Sequence, residues 1–133
     1  MTSDRLFVYG TLMRGYVHPM ARLLSANADF LGEASCQGRL YQVKHYPGLV
    51  LSDQASDIVL GELYRLRAVD DLLREFDMYE ACGEGFPEPT QYVRRMLAVM
   101  LADGTTREAW TYIYNWPVAE LARIESGRFL ASE

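Results

Sequence analysis

Cysteine, histidine and lysine are all scarce in this 133-residue chain, and each shortage removes a class of chemistry. Cys36 and Cys82 are two cysteines with no CxxC spacing and no His pair at zinc spacing, so they read as free thiols in a reducing compartment. His18 and His45 stand alone, and each reads as a surface or hydrogen-bonded structural histidine rather than a metal ligand. Lys44 is the only lysine; no physical argument ties that bias to a function. Thirteen basic residues against eighteen acidic give a net charge of −5, so no long-range field draws the chain to phosphates and nucleic acid is not an expected partner. No apolar run approaches the ~18 residues of a membrane span, and no signal-type stretch precedes the first strand pattern. The expectation is a cytoplasmic protein without a membrane partner. The motifs GxxxxGK[ST], HExxH, GxSxG and GxGxxG are absent, which removes support for phosphate cradling and zinc hydrolysis.

What is present is an ordinary globular composition: 50% hydrophobic, 12% aromatic and 23% charged residues, with no repeat or linker to divide them. The expectation is a single domain over residues 1–133, large enough to bury roughly two-thirds of its unfolded surface without disulfides.

Leu6-Phe7-Val8-Tyr9 reads as a strand stopped by Gly10, followed by the turn Gly10-Thr11-Leu12-Met13-Arg14-Gly15. Pro19 opens a short helix to about Ala26, with Met20, Leu23 and Leu24 at helical spacing. Phe30 to Val43 reads as extended chain, one bent strand or two, interrupted at Gly32 and Gly38. Ile58 to Leu66 alternates like a strand with one wet face, and Asp70 is positioned to cap a helix from Asp71 to Tyr79 whose stripe is Leu72, Leu73, Phe76 and Tyr79. Gly83, Gly85, Pro87 and Pro89 make Ala81 to Gln91 a loop. Tyr92 to Leu101 and Thr105 to Asn115 form a hairpin through Asp103-Gly104, and Val118 to Ser126 carries a weak helical signal. Hairpins rather than strand-helix-strand repeats predict an α+β fold: a small barrel-like, mostly antiparallel mixed sheet with two or three short helices.

Two segments have the makings of chemistry. The turn after the first strand has glycines that permit positive φ, so successive N–H groups can form an anion-binding nest; the same residues also suit a plain βα connection. Glu80 ends the second helix, where a carboxylate opposes the helix dipole; it is either a solvated charge or held there by another use. Tyr46, Tyr92, Tyr112 and Tyr114 are either pocket walls or core partners, and Arg94 either meets an acidic substrate or satisfies a neighbouring carboxylate.

Tyr9-Gly10-Thr11-Leu12 with Gly15, Tyr46-Pro47-Gly48-Leu49-Val50, Gly61-Glu62-Leu63-Tyr64, Phe76-Asp77-Met78-Tyr79-Glu80, Tyr92-Val93-Arg94 and Ser126-Gly127, in this order, resemble the motif set of the gamma-glutamylcyclotransferase-like (AIG2-like) family. The resemblance spans nearly the whole chain. It implies a cofactor-independent, metal-free transferase or lyase acting on small-molecule gamma-glutamyl amides: the substrate α-amine attacks its own γ-carbonyl, giving 5-oxoproline and a free amine or amino acid. It also implies that Glu80 is the catalytic general acid/base. Tyr9, Gly10, Thr11 and Leu12 would bind substrate through their backbone, with Tyr46, Tyr92 and Tyr114 as further substrate-binding residues. The nest would anchor the α-carboxylate or the oxyanion developing on the γ-carbonyl.

The sequence departs from the family pattern where Ala81 follows Glu80 in place of a common Gly, and in the long 81–91 loop with Glu84 and Glu88, which is positioned to cover a pocket and contact the leaving group. The competing readings are a non-catalytic small-metabolite binding module on the same fold, and amide hydrolysis through a water activated by Glu80. No coiled-coil heptad marks an oligomer, and Ile124 to Leu130 is either core or interface.

Overall fold

A computed structural model describes residues 3–14, 16–80 and 85–129. Among the described residues seven strands and two helices follow one another as β1 (Arg5–Val8), α1 (Pro19–Asn27), β2 (Ala28–Gln42), β3 (Pro47–Leu51), β4 (Ile58–Leu66), α2 (Val69–Tyr79), β5 (Tyr92–Leu101), β6 (Thr106–Tyr114) and β7 (Ala122–Arg123). The sheet runs β3-β2-β4-β1-β6-β5, and β2 also pairs with β5, which closes β2, β4, β1, β6 and β5 into a five-stranded barrel. Every pairing is antiparallel except β1 with β6. Closure removes the edges that a sheet of this size would otherwise expose. Among the described residues no helix is long and apolar enough to cross a membrane.

The period-2 pattern of β1 explains how one short strand serves two cores. Phe7 and Tyr9 join Leu40, Leu49, Val59, Leu63 and Val99 in one apolar cluster. Leu6 and Val8 face the other way and pack with Leu12, Leu24, Leu72, Leu73 and Phe76 beneath the two helices. Every one of these residues is buried.

β2 is one continuous strand with its register broken between Phe30 and Gly32, where Gly32 takes φ 143°. That bulge lets a 15-residue strand bend enough to pair with β4, β5, β3 and β7. Three sequence expectations need correction. Asp70 does not cap α2: Ala68 occupies that position without a side-chain bond, and Asp70 sits in the first turn, where its charge suits the helix dipole. The β5–β6 connection is wider than a two-residue turn, closing with Leu101 N–H to Thr105 O (2.8 Å) and Gly104 N–H to Leu101 O (3.0 Å). Asp103 sets this width by accepting from both the amide and the hydroxyl of Thr105.

The third correction concerns Val118 to Ser126, which is not helical. One turn, Leu121 N–H to Val118 O (2.9 Å), leads into β7. β7 pairs with Tyr41 and Gln42, and Arg123 donates to buried Asp57 at 2.9 Å. Asp57 also accepts from Arg39 (2.7 Å) and Ser52 (2.6 Å), and these donors hold its carboxyl well below the usual carboxylate range. The tertiary pairing outweighs a weak local helical preference.

Candidate functional site

The end of β1, the start of β3, the end of α2 and the paired strands β5 and β6 enclose a cavity of ≈ 180 Å³. Its wall includes Tyr9, Gly10, Thr11, Leu12, His45, Tyr46, Pro47, Tyr79, Glu80, Gln91, Tyr92 and Tyr112.

The Gly10–Leu12 segment is a tight turn, closed by Met13 N–H to Gly10 O at 3.0 Å. Gly10 is not in the positive-φ region, so conformational freedom is not what the position demands. Space is: a Cβ there would lie 2.7 Å from Pro47 Cγ and 2.8 Å from Pro47 Cδ. The turn therefore rests directly on the start of β3. Its far end is held by Glu62, which accepts from the Arg14 amide at 2.8 Å and from the Tyr64 hydroxyl at 3.0 Å, while the Arg14 guanidinium lies over the Phe30 ring. Among the described residues nothing accepts from the Thr11 or Leu12 amides, which leaves two donors beside the cavity. Gly15, expected as the second glycine of the turn, lies outside the described residues.

Gly10→Ala tests the close approach. Overpacking of this kind costs about 1–3 kcal/mol, so the variant is expected to unfold at lower denaturant than the parent protein while retaining a folded baseline. An unchanged midpoint would show that Pro47 yields freely.

The tyrosines divide by what their hydroxyls do. Tyr9 donates to Tyr112 O at 2.6 Å and accepts from Leu49 N–H at 3.2 Å, so its side chain braces the barrel. Tyr92 donates to Pro47 O at 2.7 Å, fixing β3 against β5. Tyr46 accepts from Gln91 Nε2 at 2.9 Å, and the Tyr79 and Thr11 hydroxyls share a bond of 2.8 Å. Tyr114, expected to contact substrate, does not line the cavity. Its ring stands edge-on to Tyr92 at 5.4 Å. It also presses so closely on Gly48 that a Cβ there would be 2.7 Å from its ring. Burial pushes the hydroxyls of Tyr9 and Tyr92 above their ordinary range, so both stay protonated at neutral pH.

Glu80 follows the last residue of α2 and caps it, its amide donating to Phe76 O at 2.8 Å. The residue as a whole is half-buried. Desolvation of its carboxyl, with a smaller contribution from the neighbouring Asp77 carboxylate, pushes it from an ordinary 4.5 up to about 8. Such a group exchanges protons near neutrality.

His45 and Gln91 are cavity residues that spacing alone did not select. His45 stands edge-on to Tyr46 at 4.9 Å; the only signal for it was its position one residue before the Tyr46-Pro47-Gly48 motif. Gln91 comes from the long loop, of which residues 81–84 lie outside the described residues. His18 is structural, accepting from Met20 N–H at 3.1 Å as the cap of α1. Arg94 pairs with a neighbouring carboxylate, Asp77, and is not among the residues lining the cavity. Among the described residues no group of three or more His, Cys, Asp and Glu side chains could hold a metal ion. Cys36 is buried, and burial pushes its thiol up to about 12, which keeps it unreactive.

Comparison with known proteins gives this arrangement a family. The family model described as gamma-glutamyl cyclotransferase, AIG2-like, matches residues 6–131. The gamma-glutamylcyclotransferase family protein YtfP of Citrobacter rodentium is 35% identical over 129 residues, covering 95% of each chain. The solution structure of YtfP from Escherichia coli superposes with a TM-score of 0.62 at 34% identity, over 95% of this chain and 96% of that one. The crystal structure of a mouse AIG2-like protein gives 0.67 over 100% and 99% of the two chains; at 22% identity that likeness is one of fold. The chain belongs to the gamma-glutamyl cyclotransferase, AIG2-like, family.

Proposed function

We propose that this protein is an enzyme that cyclises gamma-glutamyl amides, releasing 5-oxoproline and a free amine or amino acid. One observation carries the reading: a carboxyl with its proton affinity raised to about 8 shares one small cavity with the Gly10–Leu12 turn. The reaction forms one C–N bond, from the α-nitrogen to the γ-carbonyl carbon, and breaks one, from that carbon to the leaving nitrogen. The α-ammonium gives up two protons on its way to the lactam nitrogen; the leaving nitrogen takes one to depart as an amine and a second to become ammonium at neutral pH. A single carboxyl that takes a proton from the first nitrogen and hands it to the second serves these transfers in turn, and the atoms balance within substrate, protein and water.

An ordinary glutamate would be too weak a base for an α-ammonium group; one raised by burial is closer to matching it. Because nucleophile and electrophile belong to one molecule, the protein mainly has to hold the glutamyl chain folded, and orientation of this kind is worth several kcal/mol. The Thr11 and Leu12 amides would receive either the substrate carboxylate or the oxyanion of the tetrahedral intermediate. A cavity well below the roughly 300–1,000 Å³ of drug-sized sites suits a ligand as small as a folded glutamyl head.

The test is incubation with a panel of gamma-glutamyl amines and dipeptides, with mass spectrometry for the lactam. Release of glutamate in its place identifies hydrolysis. Saturable binding with no product from any panel member identifies a binding module. With an active substrate, kcat/KM is expected to climb about tenfold per pH unit from about pH 6 and bend near pH 8. The carboxylate is the form that accepts the proton, and its fraction grows as pH rises through the folded-state value. A profile that is flat across that range removes Glu80 as the base.

A further inference from the structure

The last turn of α2 carries two carboxylates, Asp77 and Glu80, at the end of the helix whose dipole disfavours negative charge. Glu80 faces the cavity; Asp77 is engaged elsewhere. Its Oδ1 accepts from Arg94 Nε at 2.8 Å and its Oδ2 from Arg94 Nη2 at 3.1 Å, a two-pronged pair with both side chains about a quarter exposed. The same Oδ1 accepts from the Tyr112 hydroxyl at 2.6 Å. Arg94 and Tyr112 are direct cross-strand partners in the β5–β6 register. The Arg94 guanidinium also lies 4.4 Å from the centre of the Trp110 ring, two residues before Tyr112 on β6. Tyr112 lines the cavity, and its carbonyl takes the Tyr9 hydroxyl at the end of β1.

We propose that Asp77, Arg94 and Tyr112 form a positioning clamp that fixes the last turn of α2 to the β5–β6 hairpin and so aims the Glu80 carboxyl into the cavity. The inference rests on Glu80 being the reacting group, and otherwise only on geometry. Helix ends fray because their last carbonyls lack partners, and a residue at the C-cap has little else to set its direction. Three charge-assisted bonds from two adjacent barrel strands, one turn upstream, supply that direction. They also offset the cost of placing Asp77 against the dipole. Asp77 and Arg94 touch no reacting atom in this scheme; they act through Glu80.

Charge distinguishes this arrangement from a merely structural tie. The titratable or charged groups facing the Glu80 region from the described elements are Tyr9 beyond β1, His45 and Tyr46 before β3, Asp77 and Tyr79 on α2, Tyr92 and Arg94 on β5, and Tyr112 on β6. Asp77 and Arg94 are the pair of fixed opposite charges in that set, and they compensate one another. Loss of the Arg94 charge by itself would raise the proton affinity of Glu80, whereas loss of its aim, which lets water reach the carboxyl, would lower it.

The experiment follows Glu80 directly, by 13C NMR titration of the side-chain carboxyl in protein labelled at glutamate, with Glu80→Gln assigning the signal. It needs no substrate, so its failure is separate from failure of the proposed reaction. Arg94→Met and Arg94→Lys are each expected to move the Glu80 midpoint down by about one pH unit, because loss of the two-pronged bond lets water reach the carboxyl. Charge alone would move Arg94→Met up and leave Arg94→Lys at the parent value. A tie that only supports the fold would leave both midpoints unmoved in folded variants. Either of those outcomes overturns the clamp. If Arg94→Met does not fold, Arg94→Lys, which keeps the charge, still decides the matter.

Discussion

Glu80→Gln is expected to lower lactam formation by about 10²–10⁴-fold, the usual contribution of a positioned general acid/base, while leaving the protein folded. The fold should survive because the contact Glu80 makes for the helix runs through its backbone amide to Phe76 O, and glutamine keeps that amide and nearly the same shape. The loss should fall on kcat more than on KM. A neutral amide can still fill its place in the cavity, but it can neither take the proton of the attacking ammonium nor return one to the leaving nitrogen. Steady-state kinetics on an active gamma-glutamyl substrate, with circular dichroism on the same samples, makes the check. If the variant retains a tenth or more of the parent rate, Glu80 has no proton-transfer role and the cavity must act through binding alone. If KM rises while kcat holds, Glu80 is a binding group.

The strands and helices were legible because local and tertiary preferences agree there. Ile58 to Leu66 and Tyr92 to Leu101 are strands at the boundaries that alternation and turn residues set. α2 follows the stripe of Leu72, Leu73 and Phe76, all buried against the barrel. Barrel closure was visible only in outline, since the β2–β5 pairing joins Ala34 and Ser35 to Leu101 and Met100, and no periodicity reports a contact at that sequence distance. The weak helical signal of Val118 to Ser126 contains nothing of the ion pair from Arg123 to Asp57 or of the pairing with Tyr41 and Gln42, which direct the chain into β7.

In the candidate site, the turn and Glu80 could be picked out, but the reason for Gly10 could not. Sequence suggests that a glycine matters there, and positive φ is the first explanation that comes to hand; the contact with Pro47 depends on a strand that begins 37 positions later. Tyr114 shows the converse. A strand tyrosine close to the other aromatics looks like a ligand contact, yet its ring packs on Gly48 and Tyr92 and is not among the residues lining the cavity. The direction of a side chain is fixed by its neighbours across the sheet, which spacing along one strand does not reveal.

The buried carboxyl also makes a prediction about stability that is independent of any substrate. Glu80 has its folded-state proton affinity raised from 4.5 to about 8, so the folded protein holds this proton more tightly than the unfolded chain does. Below about pH 4.5 both states are protonated and the group contributes no difference. Between about pH 4.5 and 8 the unfolded chain releases the proton while the folded protein keeps it, and stability falls as pH rises. Above about pH 8 both are ionised and the penalty is constant. At roughly 1.4 kcal/mol per pH unit the ceiling is about 5 kcal/mol; because the residue is half-buried and water relieves part of the cost, about 2–4 kcal/mol is expected. Glu80→Gln removes the penalty altogether. The variant should therefore match the parent near pH 4.5 and become progressively more stable than it up to about pH 8.5, which denaturant unfolding at constant ionic strength measures. Asp57 works in the opposite sense: its lowered folded-state affinity gives stability that is lost in acid, but it is common to both proteins and cancels in the difference. The raised hydroxyls of Tyr9, Tyr64 and Tyr92 titrate well above the window. Parallel stability curves for the two proteins would mean that the Glu80 carboxyl is hydrated in the folded state, and the proton-transfer argument would lose its physical basis along with the stability one.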